Sequence, residues 1–203
     1  MEHSVNHLVL DLVGGVLYLA NKVFFDIMER RDGRDAVAFL FWKRMAWIVY
    51  LLGLPAVLIV FYQEKNWIFG AVELGGMPAM LCGLIASFSL KDPPKILDKF
   101  ALYAIPVGLF VTLFDFKSWS TFLLQLFGSA GFLIGTRALS KRDEKKQEQG
   151  YYWFFVMNIA TALLFFVQER YLWIPQQIIS VLFVLDALRV RRLRKSRAQV
   201  LPT

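Results

Sequence analysis

The chain has 203 residues, of which 57% are hydrophobic, 16% aromatic and only 19% charged, with a mean hydropathy of +0.49. A soluble domain is usually about 45–50% apolar and about 25% charged, so this composition suits lipid better than water. The net charge of +7 does not mark a nucleic-acid binder, because the Lys and Arg residues separate apolar runs instead of striping a polar face.

Apolar runs read between charges predict helices at 7–28, 45–63, 67–90, 99–116, 119–139, 151–168 and 171–190. A helix crosses the roughly 30 Å hydrocarbon core with about 20 apolar residues, so 1–203 reads as a single all-α integral membrane domain of seven crossings. No basic n-region precedes the first run and Asp11 interrupts it, so this helix is expected to stay rather than be cleaved as a signal peptide. Cys82 is the only cysteine, which leaves no intrachain disulfide and no Cys-based metal site.

The connections alternate between long, charged segments at 29–44, 91–98 and 140–150 and tight hairpins at 64–66, 117–118 and 169–170. The long segments and their flanks hold Arg30, Arg31, Arg34, Lys43 and Arg44, then Lys91, Lys95 and Lys99, then Arg137, Lys141, Arg142, Lys145 and Lys146. The tail at 191–203 and its flank add Arg189, Arg191, Arg192, Arg194, Lys195 and Arg197, whereas the hairpins hold only Lys65, Lys117 and Arg170. Positive residues stay on the cytoplasmic side, so the hairpins face out, the N-terminus is out and the basic C-terminus is in. The tail itself reads as a topology determinant able to touch anionic lipid, with an RNA-binding tail as the alternative.

The three hairpins resemble one another at a spacing of roughly 52 residues: Gln63 to Trp67, Asp115 to Trp119, and Gln168 to Trp173. Trp67 is followed by Glu73 and Gly83 at the same intervals at which Trp119 is followed by Gln125 and Gly135, and Gln176 and Asp186 are likewise ten apart. Internal repeats in membrane proteins favour transporters, whose sites form at the repeat interface. The expected plan is 3+1+3: a first three-helix bundle at 7–90, a linker helix at 99–116 and a second three-helix bundle at 119–190.

Ionisable and amide groups inside membrane helices are functional candidates by default. Tyr151, Phe154, Asn158, Thr161, Phe165 and Gln168 recur at three- and four-residue steps and share one helix face. That face suits stacking a planar ring and hydrogen-bonding its edge; interhelical packing by Asn158 and Thr161 is the alternative. Gln125, Gln176, Gln177 and Ser180 are further candidates. Glu73, followed by Gly75, Gly76 and Pro78, suits a cation, a proton or a ribose-like hydroxyl, with a structural pair to Lys22 as the alternative. Asp11, Asn21, Lys22 and Asp26 make the first helix the most polar. Asp186 and Arg189, three apart, read as an intrahelical ion pair or a gate. His3 and His7 lack a third metal ligand. No phosphate loop, nucleophile elbow, HExxH or CxxC occurs, so no enzyme and no cofactor are expected.

The order Tyr151, Asn158, Thr161, Gln168, Tyr171, Gln176, with Asp186 and Arg189 near the end, resembles the C-terminal part of the PnuC-type vitamin transporters, which carry nicotinamide riboside and related compounds. The segment from Trp119 to Arg137, with Gln125 and Gly135, is also similar to a helix of that family. Tryptophans expected on the sixth helix stand here as Tyr151 and Phe154, beside Trp153, and the family's Asn-aromatic-Gly segment has no clear counterpart at 132–135. The resemblance implies a SWEET-like fold in a bacterial inner membrane. It further implies facilitated diffusion of a nucleoside-like vitamin, which a cytoplasmic kinase then traps.

On this reading Tyr151, Trp153 and Phe154 stack the substrate ring. Asn158 and Gln177 read its polar edge, with Thr161, Gln125, Gln176 and Glu73 nearby. The partners are a small molecule and the lipid bilayer, without nucleic acid; self-association stays open. Two other classes also stay open: a non-transporting membrane scaffold that binds a cytoplasmic partner, and an ion- or proton-linked carrier centred on Glu73.

Overall fold

The computed structural model describes residues 2–88, 93–115 and 118–200, and every regular element among them is helical. The helices are α1 Glu2–Arg31, α2 Ala36–Gln63, α3 Trp67–Phe88, α4 Lys95–Val111, α5 Trp119–Ser140, α6 Glu144–Val167 and α7 Ile174–Val200, with 3-10 turns at Thr112–Asp115 and Tyr171–Trp173. Lys91, Lys117 and the side chains of His3 and His7 lie outside the described residues.

Several helices outrun the apolar stretches that announce them. α2 starts at Ala36 rather than 45, α6 at Glu144 rather than 151, and α7 continues through most of the expected tail to Val200. Hydropathy marks where lipid begins, whereas a helix continues until its end groups find caps. Asp35 Oδ1 accepts the Ala38 N–H at 3.0 Å, and Asp143 Oδ1 accepts the Lys146 N–H at 2.9 Å. These side chains satisfy orphan donors in the interface. The Lys146 N–H, before any other cause, holds the Asp143 carboxyl below the ordinary aspartate range. Among the described residues, five helices are long and apolar enough to cross a membrane: Ala36–Gln63, Trp67–Phe88, Lys95–Phe114, Trp119–Ser140 and Glu144–Val167. α1 and α7 fall outside that set; α1 carries Asp11, Lys22 and Asp26, and α7 ends in an arginine-rich stretch.

Six helices pack in a ring. α1 lies on α2, α2 on α3, α3 on α5, α5 on α6, α6 on α7, and α7 returns to α1, while α4 lies outside across α3 and α5. The most extensive contacts are α1 with α2 and α5 with α6, so the order of contacts repeats after half a circuit of the ring. The close approach of α5 to α6 depends on Gly131 and Gly150, where an added Cβ would meet the facing helix below 3.0 Å.

The tight hairpins repeat in detail. Glu64, Lys65 and Asn66 donate their N–H groups to Val60, Tyr62 and Phe61, and Gln168, Glu169 and Arg170 donate theirs to Leu164, Phe166 and Phe165. Lys65 (φ 55°) and Glu169 (φ 59°) both adopt the left-handed conformation, which closes a helix C-terminus by a Schellman-type reversal. Even the ring contacts correspond: Phe61 with Phe69 as Phe165 with Trp173, and Tyr62 with Trp67 as Phe166 with Tyr171. The structural mate of α3 is therefore α7, and that of Glu73 is Gln177. The sequence pairing of Glu73 with Gln125 is corrected, because α5 occupies the place of α1.

The two hairpins meet at one end of the ring, where Arg170 pairs with Glu64 at 2.5 Å. The opposite end is dense in charge. There Arg191 Nε lies 2.7 Å from Glu29 Oε2, and the two side chains are 1% and 0% exposed. Tyr151 donates its O–H to Glu29 Oε1 at 3.0 Å, and Arg191 also donates to Gln147 Oε1 at 2.5 Å and to the Glu144 carbonyl at 2.9 Å. Arg194 pairs with Asp32, and Lys195 with Glu148.

Candidate functional site

A partly open cavity, with about 60 Å³ accessible to a water-sized molecule, lies in the hairpin-side half of the ring. Every ring helix contributes: Gly14 and Tyr18 from α1, Val57 and Phe61 from α2, Phe69, Val72 and Glu73 from α3, Gly128, Ser129 and Phe132 from α5, Met157, Thr161 and Phe165 from α6, and Gln176 and Gln177 from α7, joined by Trp173 of the preceding turn. The walls combine six aromatic rings with aliphatic side chains, glycines and a few polar groups, the usual make-up of a small-molecule pocket.

Four rings form a connected layer across the halves. Phe61 contacts Phe69 at 5.5 Å, Phe69 stacks on Phe165 at 6.0 Å with 23° between planes, and Phe165 contacts Trp173 at 6.0 Å. Only the central Phe69–Phe165 stack crosses from one half to the other.

The polar groups are disposed unevenly on this symmetric frame. On α3, Glu73 Oε2 accepts the Tyr50 O–H at 2.7 Å. On α7, Gln177 is 5% exposed and its Oε1 has no hydrogen-bond partner among the described residues. A buried, unsatisfied acceptor costs about 1–3 kcal/mol, so a ligand N–H or O–H at this atom would remove a standing penalty.

A second, smaller space, with only about 10 Å³ accessible to a water-sized molecule, lies nearer the charged end, lined by Lys22, Phe25, Asp26, Leu139, Tyr151, Phe154, Phe183, Val184 and Ala187. Lys22 is buried there, with Nζ 3.9 Å from the Phe154 ring centre and 4.7 Å from that of Tyr18. Both distances fall within cation–π range. Lys22 also acts electrostatically on Glu73.

Of the residues expected at the site, Thr161, Gln176, Gln177 and Glu73 come together at the main cavity. Tyr151 and Phe154 line the second space instead, and Tyr151 is held by Glu29. Asn158 is fully buried, but its Nδ2 donates to the Phe154 carbonyl of its own helix at 2.8 Å, and it does not line the cavity. Trp153 faces α5, where its carbonyl would lie 2.6 Å from a Cβ at Gly131. Gln125 lines a separate groove among the hairpins, with Glu64, Gln168 and Arg170. Asp186 pairs with Arg30 of α1 at 2.5 Å rather than with Arg189, which is exposed.

Sequence reading missed Tyr50, Glu29 and Arg191. Tyr50 had a signal: it lies in the middle of α2, 104 positions before Phe154 in the register of the hairpins (Glu64 to Gln168). Glu29 and Arg191 had none, since each falls just beyond the apolar run that marks its helix.

The chain matches no protein-family model, no curated protein and no solved structure. The functional reading therefore rests on the cavity and its residues.

Proposed function

We propose that this chain is a membrane transporter of the PnuC type, a facilitator for a small planar aromatic metabolite such as a nucleoside-like vitamin. Seven crossings in a 3+1+3 arrangement, hairpins outside and the basic end in the cytoplasm of a bacterial cell, are part of the same reading. The observation that carries it is the cavity to which all six ring helices contribute lining residues, five of them an aromatic ring, with Glu73 and Gln177 at matched places in the two halves. A site at the repeat interface can be exposed to either side by rocking one half against the other. In this reading Phe69, Phe165 and Trp173 stack the ring, while Gln177, Gln176 and Thr161 bond its edge. A cytoplasmic kinase makes uptake unidirectional.

The test is thermal unfolding of the detergent-solubilised protein against nicotinamide riboside, thiamine, riboflavin and deoxynucleosides. One class is expected to raise the unfolding temperature saturably, because a ligand at 100 times its Kd stabilises the folded state by about 2.7 kcal/mol. Gln177→Ala should leave the unliganded protein as stable or slightly more so, by relieving the unpaired Oε1, and should weaken the ligand about 10- to 100-fold. A well-folded protein that responds to none of these compounds would favour a non-transporting scaffold.

A further inference from the structure

The main cavity, with about 60 Å³ open to a water-sized molecule, is too small as it stands for a nucleoside-sized ligand, since small-molecule pockets measure about 300–1,000 Å³. The groove among the hairpins has about 580 Å³ open in the same sense and falls within that range. Among the described residues the two share no lining residue, yet they follow the same helix faces. Gln125 of α5 lines the groove, while Ser129 and Phe132, one and two turns further along, line the cavity. On α6, Thr161 and Phe165 line the cavity, and Gln168, three residues beyond, lines the groove.

The groove's polar groups are mostly of one kind. Asn66, Gln125 and Gln168 supply side-chain amides and Thr121 a hydroxyl, groups that both donate and accept. Gln125 is 3% exposed, and the buried Gln168 Oε1 has no hydrogen-bond partner among the described residues. Arg170 is paired with Glu64 at 2.5 Å, so this ion pair adds no net charge; Lys65, which also lines the groove, is exposed. Trp67 and Phe114 add aromatic surface. Amides and a hydroxyl beside rings match a neutral ligand whose hydroxyls donate and accept and whose C–H face is apolar, which describes a sugar.

We propose that this groove is an outer site that binds the sugar of a riboside before the ligand passes to the main cavity, with Gln125 and Gln168 bonding its hydroxyls. The inference rests on the transporter reading and gives it an entry site and a substrate class, a planar ring bearing a polyhydroxyl unit. Passage inward requires the stacked Phe69 and Phe165 to part, because they are the cavity-lining rings nearest the hairpins on α3 and α6. An entry site alters the rate of uptake and leaves the final ratio unchanged, as facilitated diffusion requires.

Val167 lines the groove and is 51% exposed, whereas the native Cys82 is buried. In the full-length Val167→Cys protein in detergent, a polar maleimide therefore reads the groove alone. Nicotinamide riboside and adenosine should slow labelling several-fold and saturably, D-ribose should do so at higher concentration, and nicotinamide and inorganic phosphate should not. Labelling of Tyr171→Cys, at an exposed hairpin position outside the groove, should not respond. Adding Gln168→Ala should raise the half-protecting concentration about tenfold, the value of one hydrogen bond, and adding Gln177→Ala should leave it within about twofold. The comparison of D-ribose with nicotinamide needs no second substitution, so it decides the ligand class even if Gln168→Ala misfolds. Protection by nicotinamide or phosphate equal to that by the ribosides, protection lost with Gln177→Ala instead of Gln168→Ala, or no protection at all overturns the outer site. Ligand stabilisation against heat without protection at position 167 sinks the outer site and leaves the transporter reading standing. Protection without uptake into liposomes does the reverse.

Discussion

Glu29→Ala is expected to lower the stability of the solubilised protein by about 3–5 kcal/mol, because it leaves the Arg191 guanidinium buried without its carboxylate. Arg191 is enclosed by α1, α6 and α7, and its other bonds go to the neutral Gln147 side chain and the Glu144 carbonyl. Neither group supplies a negative charge. The Glu29–Arg191 contact at 2.7 Å is Coulombic rather than well aligned, since Glu29 Oε2 and Arg191 Nε make no hydrogen bond of good geometry. Removing both charges should therefore cost far less than removing one. In Glu29→Gln combined with Arg191→Met, the packing volume is kept and most of the lost stability should return, as happens when buried ion pairs are replaced by uncharged side chains. Chemical unfolding of the two singles and the double would decide it. A Glu29→Ala loss within about 1 kcal/mol would mean that the pair reaches water and behaves as a surface bridge.

That pair also shows why part of the molecule was legible in the sequence and part was not. Apolar runs mark all seven helices, of which five among the described residues are long and apolar enough to cross a membrane. Hydropathy cannot see helix ends that continue into the interface, so Glu29 and Arg191 read as loop and tail charges although both are helical and buried. Of the residues that periodicity places on one α6 face, Tyr151, Phe154, Asn158, Thr161 and Phe165 are buried and Gln168 is half-buried. Periodicity gives the face of a helix but not what lies opposite at each level. The stripe spans two spaces: Thr161 and Phe165 line the main cavity, Tyr151 and Phe154 the smaller one, and Asn158 lines neither. The repeat was half legible for a similar reason. Successive hairpins return at a near-constant interval, so neighbours look alike, yet the true mate lies two hairpins on, because a half-turn of the ring carries α3 to α7. The matched hydrogen bonds and left-handed conformations of Lys65 and Glu169, with the matched ring contacts, fix the register of α3 on α7.

The same symmetry concentrates strain tolerance at the α5–α6 contact, where Gly131→Ala is expected to cost at the upper end of about 1–3 kcal/mol. A Cβ there would lie 2.6 Å from the Trp153 carbonyl oxygen, 2.7 Å from Met157 Cβ and 2.8 Å from Met157 N. Two of these atoms are backbone and the third is fixed to it, so no rotamer change relieves the clash. The helices must move apart, and the Thr161 and Phe165 walls move with α6. Gly15→Ala is the control, because its Cβ meets only Gln176 Oε1 at 3.9 Å. There the gain in helix propensity, up to about 1 kcal/mol, should make the change neutral or favourable. Unfolding midpoints of the two variants should therefore shift in opposite directions or at least differ clearly. If Gly131→Ala were as well tolerated as Gly15→Ala, α5 and α6 would not be in the tight contact that sets the width of the cavity.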